Sequence, residues 1–516
     1  MAICDFPKTS SKIGQTSTSC LQKFTIHFRR PEKLKQKQNA PYKGEYGFDW
    51  LRDEYIYPME KVIYNERDNE KFPTLLDKYI ELCKDPINLR QEYLKDVVPL
   101  GKEFKLNGQD YYPAWLSIFA CNLQGDNADA GSEIHKDGVY LDLQLDEIDE
   151  IIDDGTEIFF EPSDPCLKIT PDKISISKFL KTTREKRILD NNTGKPEIHY
   201  YLLENAVKII CQGDTLKEHG KIKVFAKLGA TEIEVGRLMV YKNNNIGKAN
   251  FVVVNVITED YNNNKVIPQS HPSLKYLYNN QSFNQALIRA EVSTIEDFDL
   301  VALKNKDKDI SSFLKDAKNT SYINGQVKDP EDSTILIDGA SAILKRLSAL
   351  YKKYGKHAPK GKIGLNEKKH HNTYLFFTAI DCKAVGLAHH EKKNNVIEFG
   401  NVYIIFKNGL TEDRTVVHEA AHSFSLTHTF SAGLSPHAFH KGYTDNFMDY
   451  TWYQYRDSFE YEFIMSNRLM ISSSYKGYPY LRKYILPSKD NKYKGKMYSF
   501  FKWQWNLMRD DPSIKK

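Results

Sequence analysis

The sequence predicts a multidomain chain. A mixed or all-β N-terminal region containing an immunoglobulin-like β-sandwich comes first, and an α/β domain follows. Three observations carry this. The length of 516 residues has room for about three units at roughly 150 residues each. From about 137 to 242 apolar residues alternate with polar ones, the period of half-buried strands. After 250 that pattern gives way to strand-like and helix-like runs in turn, which is the mark of an α/β region. Asn243-Asn244-Asn245 ahead of Gly247 reads as the joint. The expected units are 1–135, a mixed region; 136–245, the β-sandwich; and 246–516, the α/β domain.

Element by element, residues 1 to about 20 are polar and rich in Ser and Thr, which predicts a loose terminus. Phe24–Phe28 reads as a strand stopped by Arg29-Arg30-Pro31, and 42–51, aromatic and punctuated by glycine, as an irregular packed segment. A helix is expected over 73–98 and a strand over 115–119. In the sandwich, Val139, Leu141, Leu143 and Leu145 alternate with Tyr140, Asp142 and Gln144. The same period continues through Leu167/Ile169, Ile174/Ile176, Val207/Ile209, Ile222/Val224/Ala226 and Ile233/Val235, with Asp/Gly/Asn turns between. Beyond the joint, Phe251–Ile257 and Ala286–Val292 read as buried strands. After Ser333, the residues Leu336, Ala340, Ile343, Leu347, Leu350 and Tyr354 keep helical spacing up to Gly355. Tyr374–Ile380, Ala384–His390 and Val402–Phe406 are three more strands, and Thr411 is the expected cap of the next helix.

Composition closes off several classes. Hydrophobic residues make up 41% and charged residues 27%, which excludes disordered, collagen-like and disulfide-dense chains. Lys+Arg 73 against Asp+Glu 68 leaves +5, too little to argue for a nucleic-acid or membrane surface. No run reaches the roughly 18 apolar residues of a membrane span. The opening MAICDFPKTSSKIGQTSTSC lacks the basic-then-apolar pattern of a secretory signal. The expectation is a cytoplasmic chain, or one that leaves by a route independent of such a signal. The seven cysteines are odd in number, scattered and without CxxC. That argues against a disulfide framework and a Cys-based zinc site, and each is expected as a small buried hydrophobe.

The chemistry lies in His418-Glu419-Ala420-Ala421-His422-Ser423-Phe424-Ser425-Leu426-Thr427-His428. On a helix, residues four apart share a face, so His418 and His422 can point at one cation. Glu419, beside the first ligand, reaches a metal-activated water without ligating the metal. This is HExxH with Glu as general base. His428 supplies a third ligand, and three protein ligands leave one position open, as catalytic zinc (Zn2+) requires. The other histidine pairs, His370-His371 and His389-His390, fall outside ligand spacing. His437 and His440 are expected on a loop, where they either line the cleft or do not.

The spacing of His418, His422 and His428, followed by Asn446-Phe447-Met448-Asp449-Tyr450, resembles the metzincin zinc peptidases with their Met-turn. HEAAHSFSLTHTF plus NFMDY resembles the pappalysin branch most, over the whole 411–450 core. Gly386-Leu387-Ala388 resembles the family's edge-strand region. The resemblance implies zinc ligands at His418, His422 and His428, the base at Glu419, and Met448 as the hydrophobic floor. It implies a protein or peptide substrate. For Tyr450 it leaves two roles open: donating to the oxyanion near zinc, or packing at the turn. Where the family carries glycine this chain has Ser425, so the turn either uses other dihedrals or carries strain. Trp452, Tyr453 and Tyr455 either wall a side-chain pocket or pack in the core.

FTIHFRRP, YKGEYGFDWLRDEYIYP and WLSIF resemble N-terminal regions of effector-like proteins tied to the type VI secretion apparatus of Bacteroidetes-type bacteria, over about 1–245. That implies delivery without a signal peptide and a secretion-apparatus or immunity-protein partner. The composition break near Asn243, with the zinc spacing wholly beyond it, predicts that 1–245 is dispensable for cleavage and needed for export or partner binding. The functional expectation is a zinc-dependent endopeptidase, a delivered effector or toxin. The alternative is a structural or adaptor component of a secretion machine with a vestigial peptidase domain.

Overall fold

The computed structural model describes residues 19–66, 74–124, 131–194, 196–393, 396–451, 492–493 and 495–516. Most of the expected loose N-terminus, and Trp452, Tyr453 and Tyr455, lie outside the described residues. The protein is multidomain and mostly β.

Eleven strands share one mixed sheet. Its main path runs Leu167–Thr170, Glu197–Cys211, Val139–Glu147, Phe24–Arg29, Thr231–Val240, Gly220–Leu228, Glu157–Pro162, Lys173–Ser175. The period of two is the cause. Val139, Leu141, Leu143 and Leu145 are all buried, and Ile26 and Phe28 lie opposite Leu145 and Leu143 on the antiparallel neighbour. The first and last strands of the path are consecutive in the chain, separated only by Pro171-Asp172. The sheet therefore curls until its ends are neighbours, and its inner face closes over one core. An immunoglobulin-like sandwich has two separate antiparallel sheets. Here the hydrogen bonding is continuous, through a parallel contact of Ile26 with Gly236. Gly236 permits it, since a Cβ there would stand 2.3 Å from the Ile26 carbonyl oxygen. Phe24–Arg29, Gly47–Asp49 and Ala114–Ser117 all belong to this sheet, so its bonding crosses the expected 135/136 boundary.

Several local expectations give way to tertiary context. Within 73–98 the chain forms a strand, Thr74–Ile80, paired with Glu60–Glu66. Helix follows only over Pro86–Leu94, where Asp85 accepts from the Asn88 N–H as the cap. Ile176 opens a short helix, Ile176–Leu180, instead of extending a strand. Leu336 is 65% exposed in the strand Leu336–Asp338, and the long helix is Gly339–Tyr354. The strand expected at 286–292 is Ile288–Asp299.

The α/β part has a six-stranded sheet. Ile288–Asp299, Gly247–Glu259, Asn372–Thr378 and Val396–Ile405 run parallel in that spatial order. Gly386–Lys393 follows as an antiparallel edge. Parallel strands are covered on both faces, and the alternation along them decides which residue faces which cover. Val252, Val254, Val256, Phe376 and Ile404 share a core with Ile343, Leu347 and Tyr351 of the helix Gly339–Tyr354. The alternate residues Phe251, Val253, Leu375, Phe377 and Tyr403 share another with Val416, Val417, Ala420 and Phe424 of the helix Asp413–Ser423. Among the described residues no helix is long and apolar enough to cross a membrane.

That second core also holds Tyr55, Leu82, Tyr93, Trp115 and Tyr241 from ahead of residue 246. Polar contacts cross the same junction. Arg30 and Arg52 pair with Asp445 at 2.5 and 2.9 Å. The Asn284 amide donates to the Gly44 and Glu45 carbonyls at 2.9 and 2.8 Å. The Lys502 N–H donates to Asp49 at 2.8 Å. Stripping these away exposes large aromatics to water and removes both guanidinium partners of Asp445 together with Tyr42 and Trp50 beside it. A fragment 246–516 is therefore expected to lack a cooperative melting transition. A soluble fragment that melts sharply would show the two halves to be independent.

Candidate metal centre

The helix Asp413–Ser423 has Glu412, not Thr411, at its N-cap position, and Asp413 stands in its first turn, where a negative charge suits the helix dipole. Its apolar face is anchored by Val416, Val417, Ala420 and Ala421. That anchoring turns His418, Glu419 and His422, all buried, toward the neighbouring loop and the edge strand. Past the C-cap residue Phe424 the chain turns away at Ser425, whose φ is 67°. The Ser425 N–H donates to the His422 carbonyl and the Leu426 N–H to the Ala421 carbonyl, at 2.9 and 3.1 Å. This is a Schellman ending, and it normally uses glycine. Serine carries the left-handed strain, and its hydroxyl donates to Asp511 at 2.5 Å and accepts from Lys368 at 2.9 Å. Asp511 and Lys368 are themselves an ion pair. Ser425→Ala keeps the strain and removes both bonds, so it should destabilise the chain by roughly 1–2 kcal/mol in urea melts. No change in midpoint would show that the hydroxyl does nothing for the turn.

The sharp turn returns His428 to the helix. The three Nε2 atoms stand 3.1, 3.2 and 3.2 Å apart. His418 Nδ1 lies 2.7 Å from the Phe447 carbonyl and His422 Nδ1 lies 2.6 Å from the Leu426 carbonyl. A carbonyl only accepts, so both Nδ1 atoms carry the proton and both Nε2 atoms present lone pairs in the neutral ring. Burial holds the His418 pKa down at about 4, and burial with mutual repulsion holds His422 and His428 well below their ordinary value. Neutral imidazoles with lone pairs turned on one point repel unless a cation joins them. For metal–nitrogen distances of 2.0–2.1 Å a tetrahedral site has edges of about 3.3 Å, so the triangle fits. The cluster can hold a metal ion.

Around this triangle the rings are packed in place. Phe399 stacks on His422, with centroids 4.6 Å apart, and Phe430 on His428, at 4.8 Å. The Tyr450 hydroxyl lies 2.9 Å from His428 Nε2, on the cluster itself. Glu419 is raised by burial to about 8, opposed by a bond from the Ala388 N–H. A nearby cation would favour its carboxylate form. Gly386 on the edge strand leaves it room, because a Cβ there would come within 2.7 Å of Glu419 Cγ. A cleft of about 180 Å³ opens here between the edge strand (Leu387, Ala388, His390), Phe399, Leu434 and the cluster.

The loop that presents Phe447 and Tyr450 is fixed from behind. Asp449 accepts from the Gly442 and Tyr450 N–H groups at 2.6 and 2.7 Å, and from the Thr444 N–H and hydroxyl at 2.9 and 2.7 Å. Asn446 donates to Gln504 at 2.7 Å and accepts from the Met448 N–H at 2.9 Å. Met448 is fully buried. Burial alone would raise the Asp445 carboxyl, but Arg52 and Arg30 hold it well below the carboxylate range.

All five residues singled out from sequence, His418, Glu419, His422, His428 and Tyr450, meet at this cleft. His437 and His440 are not among its lining residues; His437 lies near Glu92 and Trp503. Sequence reasoning missed the roles of Phe399, Phe430, His390 and the Phe447 carbonyl. The HTF triplet contained Phe430, but nothing local signals that its ring stacks on the ligand two residues earlier. No protein-family model matches the chain, and no curated protein matches it.

Proposed function

We propose that the chain is a zinc-dependent endopeptidase of the metzincin, pappalysin-like kind. His418, His422 and His428 would be its metal ligands and Glu419 its general base. One observation carries the proposal: three buried imidazole lone pairs converge beside a buried carboxyl, at the mouth of a cleft bordered by a strand edge. Zinc held there would supply a Lewis acid and lower the pKa of a water to about 7.

The chain's own groups do the rest. Glu419, steadied by the Ala388 N–H, takes the proton of the attacking water and passes it to the leaving amine. Gly386–Lys393 pairs on one side with Val396–Ile405, and its other edge suits an extended peptide added as a further strand. The Phe447 and Leu426 carbonyls fix the tautomers of His418 and His422. The Tyr450 hydroxyl, 2.9 Å from His428 Nε2, is in reach of the oxyanion that forms as the carbonyl is attacked. If it donates only then, Tyr450→Phe should lower kcat about 10²–10³-fold with little change in KM. A kcat within threefold of wild type would leave Tyr450 a packing residue of the loop.

The adaptor reading is less well supported. A relic site has no reason to keep three ligands, the base and the carbonyls that orient them. The N-terminal resemblance supports delivery as a secreted effector by a signal-independent route. The test is a digest of a denatured protein mixture, with new peptide ends identified by mass spectrometry. Wild type should generate them and Glu419→Gln should not. Equal products from both proteins, or none from wild type with zinc supplied, would refute the proposal.

A further inference from the structure

We propose that Cys166 and Cys211, in the large β sheet, are a disulfide-forming pair: reduced where thiols are kept reduced, and joined once the folded chain meets a small disulfide oxidant. Their Sγ atoms are 3.4 Å apart. A disulfide needs about 2.05 Å, so the sulfurs must close by roughly 1.4 Å. The backbones are already tied as neighbours. Leu167 is the register partner of Cys211, and the Gln212 N–H donates to the Cys166 carbonyl at 2.9 Å.

The two thiols differ in ways that order the chemistry. Cys166 is buried too, at 4% exposure, but it borders an open depression of about 540 Å³ with Asn122, Pro165, Lys168 and Gln212, the side from which a small oxidant can approach. Cys211 is fully buried, and its sulfur accepts from the Asn243 amide at 3.4 Å, a contact that favours the thiolate. The contact with Cys211 and burial hold the Cys166 thiol above its ordinary pKa, which slows the first exchange. In that step Cys166, its proton lost to water, attacks one sulfur of oxidised glutathione and expels a glutathione thiolate. The Cys211 thiolate then attacks Cys166 Sγ, forms the protein disulfide and expels the second. Two protein thiols are oxidised, the oxidant's disulfide is reduced to two thiols, and the two protons lost by the cysteines end on them. Cys121 is the nearby competitor, with its Sγ directed at the Cys211 carbonyl at 3.4 Å.

The bond would tie residues 45 apart in sequence. It would join strand Leu167–Thr170 to strand Glu197–Cys211, at one end of the curled sheet. Closing a loop of that length restricts the unfolded chain strongly. The inference is independent of the peptidase proposal. It describes a chain built to fold with free thiols and to be locked later, as suits a protein that moves from a reducing to an oxidising compartment.

The experiment treats the full-length, reduced, native chain with oxidised glutathione. Remaining thiols are then alkylated under denaturing conditions, and the cysteine peptides are mapped by mass spectrometry. The expected result is a 166–211 linked peptide pair. The melting midpoint should rise by roughly 5–10 °C in wild type and stay unchanged in Cys166→Ala. The mapping uses wild type alone, so it stands even if that variant folds poorly. Recovery of both cysteines alkylated, a stable glutathione adduct on Cys166, or linkage of Cys211 to Cys121 would overturn the proposal.

Discussion

Glu419→Gln is expected to keep its metal and to slow peptide hydrolysis about a thousandfold or more, at the upper part of the range for acid–base groups. Glutamine has the same shape, so the gap above Gly386 still accommodates it, and its carbonyl oxygen can accept from the Ala388 N–H. What disappears is the group that takes the proton. Stability should hold or rise, because burial pushes the Glu419 carboxyl up to about 8, and a neutral side chain avoids that desolvation cost. Two readouts separate the roles. Zinc per chain and melting midpoint report the site's integrity, while kcat reports the base. Turnover near that of wild type at equal zinc occupancy would mean that another residue activates the water.

His422→Ala is expected to abolish both metal binding and hydrolysis. Only two imidazoles would remain, and the loss removes more than a ligand. The ring of Phe399, stacked on His422 at 4.6 Å, loses its partner, and the Leu426 carbonyl loses its donor. Disturbing groups that merely orient a ligand costs 10–100-fold in metal affinity, so removal of the ligand itself should exceed a hundredfold. Stoichiometric zinc in the purified variant would take His422 out of the ligand set.

The parts of the site that sequence made legible are the local ones. His418, Glu419 and His422 follow from a helical turn, whereas sequence left two ways for the chain to turn at Ser425, and the structure takes the left-handed one. The serine's own compensation was not legible, because Asp511 lies 86 residues away. The clamp on the Met448 loop was still less so. Arg30 and Arg52 lie 415 and 393 residues from Asp445, and no pattern in either segment points to the other. In the β half, alternation marked the strands at Val139–Glu147, Leu167–Thr170, Lys173–Ser175, Gly220–Leu228 and Thr231–Val240 and the end of Glu197–Cys211, and it passed over Glu157–Pro162 and Glu185–Ile188. It did not reveal that Gly236 lets Ile26 close the sheet, since that depends on which backbone meets which. Leu336 illustrates the limit of periodicity. Its spacing fits the helix beyond it, but spacing does not say where the helix begins, and the chain is still in a strand there.

In the proposed function, hydrolysis depends on one zinc held by three histidines. That dependence can be read by stripping the purified 516-residue chain with a chelator, adding zinc back in measured steps and following cleavage of one peptide. The stripped chain should cleave nothing, and activity should rise linearly with added zinc and saturate at one zinc per chain. Undiminished cleavage in excess chelator, or a chain that binds one zinc at this site and cleaves nothing, would contradict it.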